Sequence, residues 1–239
     1  MSIKSRLLLR AFVAALLASP CAMARAASLQ VAPVLVEVPA PGAAATLKLR
    51  NEGNQPLDAQ IRVFRWTQVD GADTLTPTDD VVASPPLASL KPNTDYVVRI
   101  VRTRKDPIVK EEAYRLIVDE LPVSTAARTP AVNIALRYSI PVFFTASGTA
   151  PKLNWELQNR ANKPVIAVNN TGDRRIRLAK LKFTDAKGAT ANFGEGLAGY
   201  VLGHSTRVWA VPANLKGFGA GGAISMSAQT DIGPMDAKR

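Results

Sequence analysis

A strand-like alternation over residues 132–144 constrains the fold of this chain more than any other feature. Every second residue of it is apolar: Val132, Ile134, Leu136, Tyr138, Ile140, Val142 and Phe144. Because successive side chains of a β-strand point to opposite faces, this spacing predicts one long strand with an apolar face. Pro141 has no N–H to donate to a sheet, so the strand should lie at a sheet edge or carry a bulge. Long apolar edges are normally shielded, and we interpret this one as an edge that pairs with another chain.

Most other segments are also predicted to be β-strands. In the first half the predicted strands cover residues 29–38, 45–51, 58–68, 96–102, 112–120 and 131–144. In the second half they cover residues 152–158, 163–169, 174–183, 206–211 and 223–230. Turns rich in Gly, Pro, Asn and Asp recur at the spacing typical of immunoglobulin-like sandwiches. A small-residue break at 145–151 divides the chain, which predicts an all-β protein with two immunoglobulin-like β-sandwich domains, residues 27–146 and 147–239.

Residues 1–26 have the pattern of a secretory signal peptide. Basic residues precede the apolar run 11–18, and small residues follow it in Ala-x-Ala spacing. Cys21, the single cysteine, lies in this segment after Pro20, which makes it a poor lipid acceptor. No later apolar run is long enough to span a bilayer. We therefore expect an exported chain without disulfides and without stable membrane insertion.

The chain is basic, with 30 Lys and Arg residues against 19 Asp and Glu residues and a formal net charge of +11. A positive charge favours acidic partners or anionic surfaces. Export and the lack of a recognisable nucleic-acid-binding module argue against nucleic acid as the partner.

Catalytic, metal and cofactor motifs are weak. His204 is the single histidine and follows Gly203 in a predicted turn, so a solvated turn is favoured over a catalytic base. Acidic residues in 70–80 lack the ligand order of a calcium loop, and a hairpin turn is favoured there. Residues 217–222 satisfy G-x-G-x-x-G, but a strand pattern follows them where the cofactor motif needs a helix, so we interpret them as a hairpin loop. We expect no catalytic residue, no metal and no cofactor.

Arg115 differs from the clustered basic residues because it is isolated among apolar neighbours in Tyr114–Val118, a predicted strand beside the long edge strand. Two roles are open for it. It could be reserved for a carboxylate from a partner, or it could pair with a local acid such as Glu112.

Several segments in this order resemble the PapD-like periplasmic chaperones of pilus assembly. In the first half these are residues 51–66, 84–86, 96–102, 114–122 and 134–143, and in the second half 169–172 and 175–178. The resemblance implies two immunoglobulin-like domains set at an angle, with a subunit-binding cleft between them. It also implies a periplasmic, non-enzymatic protein that binds pilin subunits by donor-strand complementation and passes them to an outer-membrane usher. Matched by position, the donor residues are Val132, Ile134 and Leu136, with Pro130 and Tyr138 at the margins.

One departure from the family pattern concerns the basic residues that hold the C-terminal carboxylate of the pilin. Their positions correspond to Pro33 and Pro141 here, which suggests the divergent archaic or alternative branch. Arg115 is the first candidate for a replacement anchor, because guanidinium groups bind carboxylates in bidentate fashion; Arg137 and Arg102 follow. Thr145 stands where many relatives place an arginine of an interdomain salt bridge.

The alternative function is a periplasmic sandwich that binds carbohydrate or metal, or a structural pilus component. A carbohydrate-binding protein should expose clustered aromatic residues. Trp66, Trp155 and Trp209 are instead spread through strand patterns, and we expect them in the core. The apolar edge also allows self-association of the free protein.

Overall fold

The computed structural model describes residues 29–121, 135–220 and 222–238, and these residues form strands and turns without a helix. They therefore contain no helix able to cross a membrane. In the first half the strands are β1 (Leu29–Ala32), β2 (Val36–Pro39), β3 (Ala44–Asn51), β4 (Leu57–Val69), β5 (Ala72–Pro77), β6 (Val81–Ser84), β7 (Leu87–Leu90), β8 (Asp95–Arg102), β9 (Glu112–Leu121) and β10 (Arg137–Thr145). In the second half they are β11 (Leu153–Arg160), β12 (Lys163–Asn170), β13 (Ile176–Asp185), β14 (Thr190–Asn192), β15 (Leu197–Val201), β16 (Ser205–Ala210), β17 (Ile224–Thr230) and β18 (Gly233–Lys238).

The strands of the first half form two packed sheets. One has the order β1-β3-β8-β6, and the other has the order β2-β10-β9-β4-β5 with β7 paired to β4. Their inner faces bury a continuous apolar core that includes Leu49, Val98 and Leu116. The single strand predicted over 29–38 is wrong: it divides into β1 and β2, which belong to different sheets. Pro33 lies in the break, where its missing N–H interrupts no ladder.

The second half forms another pair of sheets. One has the order β11-β12-β16, and the other has the order β14-β13-β17-β18 with β15 paired to β13. Ile166, Phe183 and Val201 are fully buried between them, and Trp155 and Trp209 belong to the same core. The expectation that the tryptophans are core residues is confirmed, since Trp66 is also buried.

The segment 217–222 joins β16 to β17, which lie in different sheets of the second sandwich. The prediction of a hairpin loop there is therefore wrong, because a hairpin joins neighbouring strands of one sheet. The prediction of a strand after the segment is confirmed by β17, so the helix N-terminus that would hold a pyrophosphate does not follow these glycines.

Strand β10 loses its alternation in its second half. Residues Ile140 to Phe144 are all buried, whereas the sequence pattern predicts one exposed face. Phe144 points into the first core, and Phe143 packs on the opposite face against Trp66, Tyr200 and Leu202. The second sandwich thus covers the face that would otherwise be solvated.

An ion network joins the two halves beside this aromatic cluster. Arg175 is 2% exposed. Its guanidinium pairs with Glu37 on β2 and with Glu111, the residue just before β9 in the chain. Its guanidinium carbon also lies 3.7 Å from the centre of the Phe143 ring. Burial raises the pKa of Glu111, although Arg175 opposes the shift. Arg175 therefore supplies an ion pair between the two sandwiches.

Candidate functional site

The free edge of β10 is the first part of the site. Along its length β10 pairs with β9, from Arg137 opposite Asp119 to Phe144 opposite Glu112. On its other side β2 pairs with it in parallel, and only from Val142 onward. Within the described part of the chain, residues 137–141 therefore have no strand on that side. This agrees with the edge position predicted from Pro141.

Two of the four predicted donor residues are described. Leu136 and Tyr138 are partly buried and pack against the first core, and the Tyr138 hydroxyl donates a hydrogen bond to the Leu29 carbonyl, 2.5 Å away. Leu136 and Glu120 are also joined, because the Glu120 N–H donates to the Leu136 carbonyl. Val132 and Ile134 lie outside the described residues.

Arg137 and Arg102, two of the three candidate anchors, have carboxylate partners within the chain. Arg137 pairs with Asp119, which also accepts a hydrogen bond from Arg62 at 2.6 Å. Burial alone would raise the pKa of Asp119, but these two arginines hold it below its usual range. Arg102 is 6% exposed and donates to both carboxylate oxygens of Glu112, at 2.9 and 2.8 Å. Both guanidinium groups thus already have counter-ions.

Arg115, the remaining candidate, has a different environment. Its guanidinium carbon lies 3.7 Å from the centre of the Trp66 ring and 5.9 Å from that of Tyr200. One N–H reaches over β10 to the Ser139 carbonyl at 3.4 Å. Arg115 forms no salt bridge with any described residue, and burial lowers its pKa. The alternative pairing with Glu112 is not found, because Glu112 pairs with Arg102.

Two polar residues that the sequence did not single out as site residues lie beside Arg115. Asp73 on β5 accepts hydrogen bonds from the Trp66 indole N–H at 3.0 Å and from the Gln68 amide at 2.9 Å. Its other carboxylate oxygen lies 3.1 Å from Arg207 on β16. Asp73 lies in the segment predicted to be a hairpin turn, and Arg207 lies within a predicted strand. No local sequence signal joins them, since they come from different sandwiches.

The register between β9 and β10 shows where Arg115 lies relative to the free edge of β10. Arg115 is the cross-strand partner of Pro141. The next residue, Val142, is the first that β2 pairs with. Arg115 therefore lies level with the point at which the open part of the edge ends.

His204 lies in a turn, as predicted. Its Nε2 is 2.6 Å from Asp173, and both side chains are about half exposed. The neighbouring Ser205 hydroxyl bonds the Gly203 carbonyl rather than the imidazole. Over the described ranges, no group of three or more His, Cys, Asp or Glu side chains could hold a metal ion.

Comparison with known families now identifies the group. Residues 28–150 match the family model for pili and flagellar-assembly chaperones, PapD N-terminal domain. The chain belongs to this family. The match covers just over half of the sequence and includes all of the first sandwich. The family consists of pilus assembly chaperones, which are not enzymes.

Individual relatives are similar over different lengths. The fimbrial chaperone YcbF of Escherichia coli (strain K12) is 27% identical over 112 residues, and the match spans about half the length of each chain (46% of this one and 47% of YcbF). The CsuC–CsuE chaperone–tip adhesion subunit complex of archaic Csu pili from Acinetobacter baumannii matches with a TM-score of 0.70 and 26% identity, covering 89% of this chain and 98% of that one.

A further solved structure, of the Salmonella enterica SafA pilin in complex with the SafB chaperone, matches with a TM-score of 0.62 and 21% identity, covering 89% of this chain and 97% of that one. These likenesses extend over both sandwiches. They confirm the predicted fold class of two tandem immunoglobulin-like β-sandwiches.

Proposed function

We propose that this protein is a periplasmic chaperone that binds fimbrial subunits by donor-strand complementation and delivers them to an outer-membrane usher. Its signal-like residues 1–26 would direct export and then be removed. The observation that carries the proposal is the one-sided edge of β10, whose open part ends level with Arg115, a partly buried cation without a salt bridge in the described chain.

The pairing of β2 limits how a subunit strand can bind. Because β2 already pairs with Val142 to Thr145, an incoming strand has access to β10 only up to Pro141. A strand that continues the line of β2 runs parallel to β10, so its C-terminus would arrive beside Pro141. Arg115 is opposite Pro141 and extends across β10 as far as Ser139. The geometry is thus suited to a subunit whose last strand ends at this arginine.

Two interactions would stabilise the complex. Backbone hydrogen bonds along the edge supply pairing, as in other strand-addition complexes. Donor side chains at Val132, Ile134 and Leu136, with Tyr138 at the margin, would fill the open groove of the subunit. Fully burying an aliphatic side chain is worth about 1.5 to 3 kcal/mol, before the cost of ordering the chains.

Arg115 is the proposed anchor for the terminal carboxylate of the subunit. A cation removed from water without an ionic partner is costly, and a carboxylate would supply the missing charge. Arg137 and Arg102 are weaker candidates, because each would have to give up Asp119 or Glu112 first. We also place the protein in the archaic branch, on the strength of its likeness to CsuC and of Pro33 and Pro141.

The decisive experiment is co-expression of the protein with its cognate fimbrial subunit, followed by purification of the complex. The double variant Ile134→Asp with Leu136→Asp should abolish subunit recovery, because two charges would enter the apolar groove of the subunit. The control is Leu87→Asp with Val97→Asp, two apolar residues that are each 57% exposed and lie away from β10. Circular dichroism should show both variants folded. Equal recovery from the donor variant and its control would overturn donor-strand binding.

A further inference from the structure

We propose that Arg207, contributed by the second sandwich, is the second cation of the carboxylate site, and that Asp73 holds it there beside Arg115. This inference rests on the proposed function, because it adds a residue to the same anchor. It makes the site a two-domain one: a subunit terminus would bind between one arginine of each sandwich.

The geometry centres on the Trp66 ring. Arg115 lies against its face, with the guanidinium carbon 3.7 Å from the ring centre. The indole N–H at its edge donates to Asp73, and the second oxygen of Asp73 lies 3.1 Å from Arg207. The Trp66 ring is buried against Phe143 and Tyr200, so its position is fixed by packing. One rigid ring therefore positions both arginines.

One carboxylate oxygen of Asp73 accepts hydrogen bonds that hold the side chain in place, and the other binds Arg207. The first oxygen accepts two hydrogen bonds, from Trp66 and Gln68. Gln68 in turn contacts the second sandwich, because its amide donates to the Tyr200 carbonyl at 2.8 Å and accepts from the Leu202 N–H at 3.0 Å. This arrangement gives Asp73 little freedom to move to Arg115, and it aligns Arg207 across the domain boundary.

The charges do not balance within this cluster. Asp73 pairs with Arg207, Arg115 has no salt bridge among the described residues, and the Arg207 Nε is buried without a hydrogen-bond partner in the described structure. After burial, which dominates, the pKa of Arg115 responds to Asp73 and to Arg207, which act in opposite directions. A second carboxylate placed between the arginines would neutralise the excess charge and satisfy free N–H donors. The C-terminus of a bound strand is such a group.

The test uses full-length mature protein and the peptide N-acetyl-Val-Thr-Val, prepared as the free acid and as the C-terminal amide. The side-chain Nε–H signals of Arg115 and Arg207 are followed by ¹⁵N nuclear magnetic resonance during titration. The chemical shifts of both signals should change along one binding curve when the free acid is added and should not change when the amide is added. Arg207→Gln should raise the dissociation constant for the free acid about tenfold, as expected for loss of a charge-assisted hydrogen bond. Arg207→Lys should recover part of the affinity.

The matched control in the second sandwich is Lys163→Gln, which removes an exposed positive charge on β12 and should leave the dissociation constant unchanged. If Arg115 responds to the free acid while Arg207 does not, and Arg207→Gln binds normally, the inference about Arg207 is overturned and the Arg115 anchor stands. If neither arginine distinguishes acid from amide, both the inference and the proposed anchor fail.

Discussion

Arg115 lies over the Trp66 ring, with its guanidinium carbon 3.7 Å from the ring centre, and the two residues come from neighbouring strands of the sheet that faces the second sandwich. The contact is a cation–π interaction, worth about 0.5 to 2 kcal/mol. It orients a cation that has no salt bridge among the described residues. Among the described residues this charge at the end of an open sheet edge has no counter-ion, which is unusual for a purely structural residue.

We predict that Arg115→Met changes function without loss of stability. The free energy of unfolding should stay within about 1 kcal/mol of wild type, because the lost cation–π contact is offset by the removal of an unpaired, desolvated charge. Subunit recovery should fall strongly. Urea denaturation and co-purification measure the two effects. Arg99→Met, at an exposed arginine on β8, should alter neither. A loss of several kcal/mol in Arg115→Met would show that Arg115 is mainly structural.

Arg175→Met should have the opposite effect on stability. The substitution leaves Glu111 buried with its nearest cation gone, and breaking a buried ion pair on one side typically costs about 3 to 5 kcal/mol. Adding Glu111→Gln should restore part of the loss, because the orphaned carboxylate is removed. Urea unfolding of both variants checks this. If the single variant lost less than about 1 kcal/mol, the network would not stabilise the junction.

Acid should destabilise the protein partly through Glu112. Burial would raise the pKa of this carboxyl, but the hydrogen bonds from Arg102 outweigh it and hold the pKa below its ordinary value of 4.5. A lowered pKa in the folded state contributes stability that is complete above pH 4.5 and is lost as the pH falls through the lower folded value. Unfolding measured from pH 7 to pH 3 should therefore show a less steep loss of stability in Glu112→Gln than in wild type. Parallel curves would contradict the assignment.

Tyr200→Ala should uncouple the two sandwiches. The centre of the Tyr200 ring lies 5.5 Å from that of Trp66 and 5.9 Å from that of Phe143, and both of these partners belong to the first sandwich. Removing the ring leaves a cavity at the junction rather than in either core. Calorimetry should show two unfolding transitions farther apart in temperature than in wild type. Val97→Ala, at an exposed residue of β8, is the control and should leave the transitions unchanged.

The strand content, the two-sandwich class and the edge position of β10 could all be predicted from the amino-acid sequence alone. These features depend on the alternation of apolar residues and on turn residues, which act over short distances along the chain. Arg115 could also be selected from sequence, because an isolated charge among apolar strand residues is unusual. The hairpin turn at Asp70 and Gly71 and the buried tryptophans follow from the same local rules.

Which charges pair with one another could be seen only in the folded protein. Local sequence allowed Arg115 to pair with Glu112, but folding brings Arg102 from β8 against Glu112 and leaves Arg115 on Trp66. It also places Asp73 beside Arg207, and covers both faces of β10 beyond Ser139 with the two sandwiches. These outcomes depend on contacts between residues far apart in the chain, and local periodicity carries no information about such contacts.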